Sequence, residues 1–322
     1  MKRITLAGLA MFCQALGAHA LGQDARHFPQ RPVQIVAGVA GASSDVIARA
    51  VREELASIWR KPVVVSNEAD LRSGLRRITD SRPDGHTLLS SGTPLMLLWA
   101  QRLDLQEDPR IGMKDLLAGI SAIAYSPQIL AAHPGLGTKN LAEWLAAARE
   151  HPGRLRLGAS GVSGLSWNTS RLLAARSGTQ YNMITFAGGT PAVLAALLEG
   201  RLDAAVLTMA AATEHVRAGR LIPIAVTARG RAKALPGVPT LGEQGIDDVD
   251  TGTWLGLMAP AKTSRPVIDR IYKDILSTLT MPQVNHFLDS EGFTIQGIPP
   301  ADTDRLIASE IARFRQVIKA AQ

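Results

Sequence analysis

The chain of 322 residues has one cysteine, Cys13, and none after it. Everything beyond position 13 is therefore without disulfides and without thiol chemistry. Aromatic residues make up only 4% of the chain, which argues against stacking platforms for bases or sugars. There is no dense Lys/Arg run with aromatics between, so nucleic acid is not an expected partner. No His pair stands at i, i+4, and the seven histidines are scattered, so no zinc signature is present and no metal is expected. Nucleotide fingerprints are missing as well, both G-x-x-x-x-G-K-S/T and G-x-G-x-x-G. The G-x-S-x-G elbow of serine hydrolases is approached by Gly158-Ala159-Ser160-Gly161-Val162, which lacks the last glycine. Nothing marks a catalytic base, so the sequence is not read as that of an enzyme, and no cofactor is expected. A secreted α/β hydrolase is the weakest of the alternatives.

What is present begins with an export signal. Lys2 and Arg3 precede an apolar run from Ile4 to Leu16, and Ala18-His19-Ala20 is a small-x-small cleavage site. Cleavage near Ala20 and a periplasmic location are expected. The apolar run falls well short of the ~20 residues of a membrane span. Cleavage would lower Lys+Arg from 35 to 33 against 28 Asp+Glu, taking the net charge from +7 to +5. That mild excess of positive charge suits a protein that draws in small acids. Hydrophobic residues are 46% of the chain, enough for a large core.

The central stretch is Val33 to Asp45. A short apolar run ends in glycines and hydroxyls, and Val46, Ile47, Ala50, Val51, Leu55 and Ile58 follow at helical spacing. This reads as strand, loop and helix N-terminus, with Ser43, Ser44 or Asp45 capping the helix through a side-chain oxygen. Free N–H groups and the positive dipole end would then hold an anion. Comparable strand-to-helix turns occur at Ser91-Gly92-Thr93, Ser160 to Gly164 and Gly188-Gly189-Thr190. Together these give the candidate ligand-binding residues: Gly38, Gly41, Ser43, Ser44, Asp45, Ser91, Thr93, Ser160, Ser163, Gly188, Gly189 and Thr190. Their hydroxyls and N–H groups would donate to carboxylate oxygens, while Asp45 serves either as a contact or as a cap.

Short apolar strands alternate with helices along the chain, which predicts an α/β fold with parallel sheets and ligand loops at the strands' carboxyl ends. Residues 28–125 and 250–322 are expected to form one domain and 126–249 the other. Two chain crossings would let the pair hinge about a cleft.

Several segments in order carry a resemblance. Pro29-Gln30-Arg31-Pro32-Val33-Gln34-Ile35-Val36, Ser43 to Arg49, and Pro62 to Val65 with Asn67 come first. Pro83 to Leu89, Gly158 to Gly161, Gly188 to Ala192 and Gly200 to Asp203 follow. Leu235 to Thr240 and Trp254 to Pro260 close the series. Together they resemble the Bug-type receptors of tripartite tricarboxylate transporters. The resemblance implies a two-domain, type II Venus-flytrap periplasmic binding protein that captures a small organic acid, commonly a carboxylate. It implies delivery to membrane permease subunits of the transporter, by a receptor expected to be a monomer. A receptor that signals to a sensor partner is the alternative. The chain departs from the family pattern at Gly38, where an aromatic is usual, and at Trp167, close to where a histidine is usual. Glu68 and Asp70 put negative charge in the loop after the second strand.

Overall fold

The computed structural model describes residues 25–101, 112–161, 164–186, 189–247 and 249–320. The predicted signal segment and two of the candidate site residues, Ser163 and Gly188, lie outside them.

The chain opens as a repeating strand–helix unit: β1 (Val33–Ala37), α1 (Ser43–Trp59), β2 (Val63–Asn67), α2 (Leu71–Thr79), β3 (Thr87–Gly92) and α3 (Thr93–Ala100). A single helical turn, α4 (Met113–Leu116), leads into β4 (Leu117–Ser126). A second series follows: β5 (Gln128–Ala132), α5 (Leu141–Glu150), β6 (Arg156–Ala159), α6 (Leu165–Ser177), β7 (Asn182–Thr185), α7 (Gly189–Leu198), β8 (Ala204–Thr208), α8 (Met209–Arg217) and β9 (Ile222–Val226). The chain ends with β10 (Thr253–Pro260), α9 (Arg265–Leu279), α10 (Pro282–Ser290), β11 (Thr294–Ile298) and α11 (Pro300–Ala320).

These strands build two sheets. The first has the order β11-β4-β10-β3-β1-β2 and the second β7-β6-β8-β5-β9. The cores of the two orders match: β2-β1-β3 with antiparallel β10 beyond corresponds to β7-β6-β8 with antiparallel β5 beyond. Both sheets are thus mixed, where alternation alone had predicted parallel ones. The reversal falls at the crossings, because β4 and β5 are joined only by Pro127 and β10 returns from the second sheet. Apolar residues on successive strand positions face opposite sides, as a sheet covered on both faces requires. Leu88 packs with α1 and α9 on one side and Leu89 with α2, α3 and α11 on the other. The second sheet is covered by α5 and α6 on one face and by α7 and α8 on the other. This is the two-domain α/β architecture of type II periplasmic binding proteins. Among the described residues no helix is long and apolar enough to cross a membrane.

The crossings are tied together by polar groups. Gln128 N–H donates to Thr227 Oγ1 at 3.2 Å, and Thr251 N–H to Thr227 O at 2.8 Å. Tyr125 donates to Asp250 at 3.1 Å, and Arg229 pairs with the same carboxylate at 3.2 Å. Burial, with Asp250 beside it, pushes the Tyr125 phenol well above its usual range. Gly252 is required here, since a Cβ would fall 1.9 Å from Tyr125 Oη.

Candidate functional site

The loop after β1 is held by side chains that reach backwards from the helix. Ser44 Oγ accepts the N–H of Gly38 at 3.1 Å, and Asp45 Oδ2 accepts that of Gly41 at 2.9 Å. Gly41 has φ +78°, which favours glycine, and it turns the chain into α1. The residue before α1 is Ala42, and no side chain caps the helix. The expectation that Ser43, Ser44 or Asp45 would cap is therefore corrected. All three already lie inside the first turn, and the latter two side chains serve the loop. The first helical N–H groups have no intrahelical acceptor, so they remain available at the sheet's carboxyl end.

Asp45 is not free to meet a ligand. It is 3% exposed and accepts from Arg49 Nε at 2.9 Å and from Asn67 Nδ2 at 2.8 Å, besides Gly41. Asn67 also donates to Gly38 O at 2.7 Å, which locks the loop to the end of β2. Burial raises the Asp45 carboxyl, but Arg49, Asn67 and the Gly41 N–H outweigh it and hold the group below its ordinary value. The i, i+4 spacing of Asp45 and Arg49 was a readable signal for this pair.

On β3, Ser90 Oγ donates to Ser44 O at 2.7 Å and ties the strand to the start of α1. Ser91 faces the opposite side of the sheet. It is 2% exposed, and its hydroxyl has no hydrogen-bond partner among the described residues. Thr93 is fully buried, donating to Glu310 at 3.0 Å and accepting the Trp254 N–H at 3.1 Å. Its predicted role as a ligand contact is corrected to that of an internal tie between α3, β10 and α11. Glu310 also accepts from the Trp254 indole and pairs with Arg313 at 3.0 Å. Burial dominates there and raises the Glu310 carboxyl above its usual range. The two acids of the β2–α2 loop are likewise committed: Glu68 pairs with Arg77 at 2.6 Å, and Asp70 caps α2 through the N–H groups of Arg72 and Ser73.

The second sheet repeats the first loop's device 122 residues later. Ser166 Oγ accepts the N–H of Ser160 at 2.9 Å, as Ser44 Oγ accepts that of Gly38. The residue before α6 is Gly164, with φ −68° and ψ 170°, against −71° and 158° at Ala42. Neither helix is capped by a side chain. Ser160 Oγ also shares a hydrogen bond with Ser166 Oγ at 2.9 Å. Ser166 was missed from the sequence; only the match to Ser44 reveals it. The neighbouring strand β7 leads to Gly189, with φ +67°, and to Thr190, which is half-buried at the start of α7. The Phe186 N–H donates to Ala159 O at 3.2 Å and holds the two loop starts side by side. The start of α6 also reaches the first sheet's unit, because Leu165 packs against the cluster around Leu71, Tyr125 and Phe314.

A groove of about 480 Å3 lies elsewhere, lined by Lys233, Asn285, His286, Asp289, Phe293, Thr294 and Ile295. It flanks β11, on the far side of the crossing strands from β1, and none of the candidate residues lines it.

A model of the tripartite tricarboxylate transporter family receptor matches residues 47–322. The chain belongs to this family. Its members are periplasmic solute-binding receptors and not enzymes. Protein BugT of Bordetella pertussis (strain Tohama I) is 30% identical over 319 residues, covering 98% of this chain and 96% of its own. Two solved structures from Rhodopseudomonas palustris share the fold. MatC with bound malate superposes with a TM-score of 0.76 at 24% identity, over 90% of this chain and 100% of its own. Rpa4515 with adipate gives 0.78 at 23%, over 91% and 98%.

Proposed function

We propose that this receptor captures a small organic acid between the loops that follow β1 and β3 in one domain and β6 and β7 in the other, and passes it to permease subunits of a tripartite transporter. The observation that carries the reading is the matched pair of uncapped helix starts at α1 and α6. Each has its loop braced by a serine six residues on, and each leaves first-turn N–H groups without an acceptor. Two such ends, one per sheet, suit a ligand with negative charge. The crossings at Pro127 and Thr251 are the proposed hinge, with residues 28–125 and 250–322 moving against 126–249. Cleavage near Ala20 releases the mature receptor, which works as a monomer.

Binding to the folded state raises stability by RT ln(1 + [L]/Kd), about 2.7 kcal/mol at a hundredfold excess over Kd. Thermal unfolding of protein stripped of bound ligand, scanned with malate, adipate, benzoate and amino acids, tests the reading. A rise in Tm with one class of acid supports it. Unchanged melting with every acid at millimolar concentration sinks it.

A further inference from the structure

The two helix starts match in backbone and differ in one side chain. At the third residue of α1 stands Asp45; at the third residue of α6 stands Trp167. Four residues on, Arg49 of α1 corresponds to Arg171 of α6, each on the same helix face as the residue four before it. In α1 the arginine is neutralised by the aspartate. In α6 that acid is replaced by an indole, and Arg171, half-buried, has no hydrogen-bond or ion-pair partner among the described residues.

Trp167 is itself unusual. The chain has five tryptophans. Trp59, Trp99, Trp144 and Trp254 are buried members of the core clusters. Trp167 is half-buried, belongs to no apolar cluster and stacks on no ring among the described residues. A large apolar side chain outside every core cluster of the described residues, on the first turn of a binding-loop helix, is a surface on which a ligand ring can stack. Arg49 shows how far a guanidinium at the matching position extends, since it reaches both the helix's third residue and the end of the neighbouring strand. Arg171 holds the matching position of α6, four residues after Trp167.

We infer that Trp167 and Arg171 are the specificity-determining pair of the second domain and select an aromatic carboxylate. The ring stacks on the indole, and the carboxylate pairs with the guanidinium. This rests on the receptor reading above and names its ligand class. A planar ring gains from offset stacking on an indole, and a saturated ring of the same size does not. A guanidinium without an internal partner is a ready fork for a carboxylate.

The experiment compares benzoate with cyclohexanecarboxylate, equal in charge and close in size, by calorimetric titration of the ligand-stripped protein. The expected result is benzoate binding about tenfold more tightly. Trp167→Ala should abolish that preference, Trp167→Phe should keep most of it, and Arg171→Gln should weaken both acids about tenfold or more, with Arg171→Lys in between. Benzoate should also quench the fluorescence of the wild type more than that of Trp167→Phe. Equal binding of the two ring acids, or a preference that survives Trp167→Ala, overturns the inference. If malate or adipate binds and benzoate does not, this inference fails and the receptor reading stands; if no acid binds, both fail.

Discussion

The start of α1 and the start of α6 are the same backbone solution carrying different side chains. Each follows a short strand that ends in alanine, each has its loop N–H held by a serine hydroxyl, and neither has a side-chain cap. In the first, a buried carboxylate gathers a loop N–H, an arginine and an asparagine. In the second, that position carries Trp167, and Arg171 four residues on has no partner among the described residues. The first loop's acid and arginine thus neutralise each other, while the second loop has no acid at the matching position. The residue at one helical position decides whether a side chain braces the loop, as Asp45 does, or stands clear of it.

The comparison breaks most readily at Asp45. Asp45→Ala leaves Arg49, Asn67 and the Gly41 N–H without their shared acceptor, and should lower stability by about 2–3 kcal/mol. Urea unfolding measures it. Trp167→Ala, outside every core cluster, should change stability by less than ~1 kcal/mol. Equal losses would mean that the two positions do the same work. The Asp45 carboxyl lies below its ordinary value in the folded state. Its stabilising contribution is therefore present above the unfolded value, near 3.8, and fades as pH falls through the folded one. Glu310 is shifted the opposite way, so its contribution is fully present below the unfolded value, near 4.5, and declines as pH rises through the folded one. Acid titration of stability should flatten in Asp45→Asn below pH ~4 and in Glu310→Gln above ~4.5.

Thr93→Val comes next, at about 1–2 kcal/mol, because Glu310 and the Trp254 N–H each lose a buried partner. Ser44→Ala and Ser166→Ala should cost about 1 kcal/mol each, and nearly the same as one another. A difference of more than ~1 kcal/mol between them would show that the two loops are not equivalent braces. Ser91→Ala should be close to neutral in the ligand-free protein, since its buried hydroxyl has no partner among the described residues to lose. A melting curve separates it from Thr93→Val, two residues away.

Much of the frame was legible beforehand. The run Val33 to Ile58 announced strand, loop and helix by a change of period, and that is what folds. The return of the chain at Trp254 was also readable. Strand direction was not, because an apolar run looks the same in a parallel and an antiparallel neighbour, so the mixed sheets came only with the coordinates. β11 was missed: five residues between two strong helices, broken by Gly297 at φ +59°, carry little period of their own. The site was legible as a set of loops but not as a set of contacts. Thr93 has the look of a ligand hydroxyl until Glu310, 217 residues away, is seen to take it. Asp45 was ambiguous between cap and contact, and became neither once Arg49 and Asn67 surrounded it. Trp167 stood out as a departure from the family pattern. That it is the tryptophan left outside the cores needed packing to show.

The order of the first sheet has a consequence for how the chain assembles. β10 lies between β3 and β4, yet it is made after the whole of the second sheet. The second sheet is drawn from one continuous stretch, β5 to β9, and has all its strands before the chain reaches Thr253. The first must wait with its middle missing, its β3 and β4 edges open until Thr253–Pro260 arrives. Open strand edges on an unfinished sheet invite pairing with other chains. For a protein bound for export, that delay keeps the half that carries β1 and its loop unfinished until Thr253–Pro260 is available.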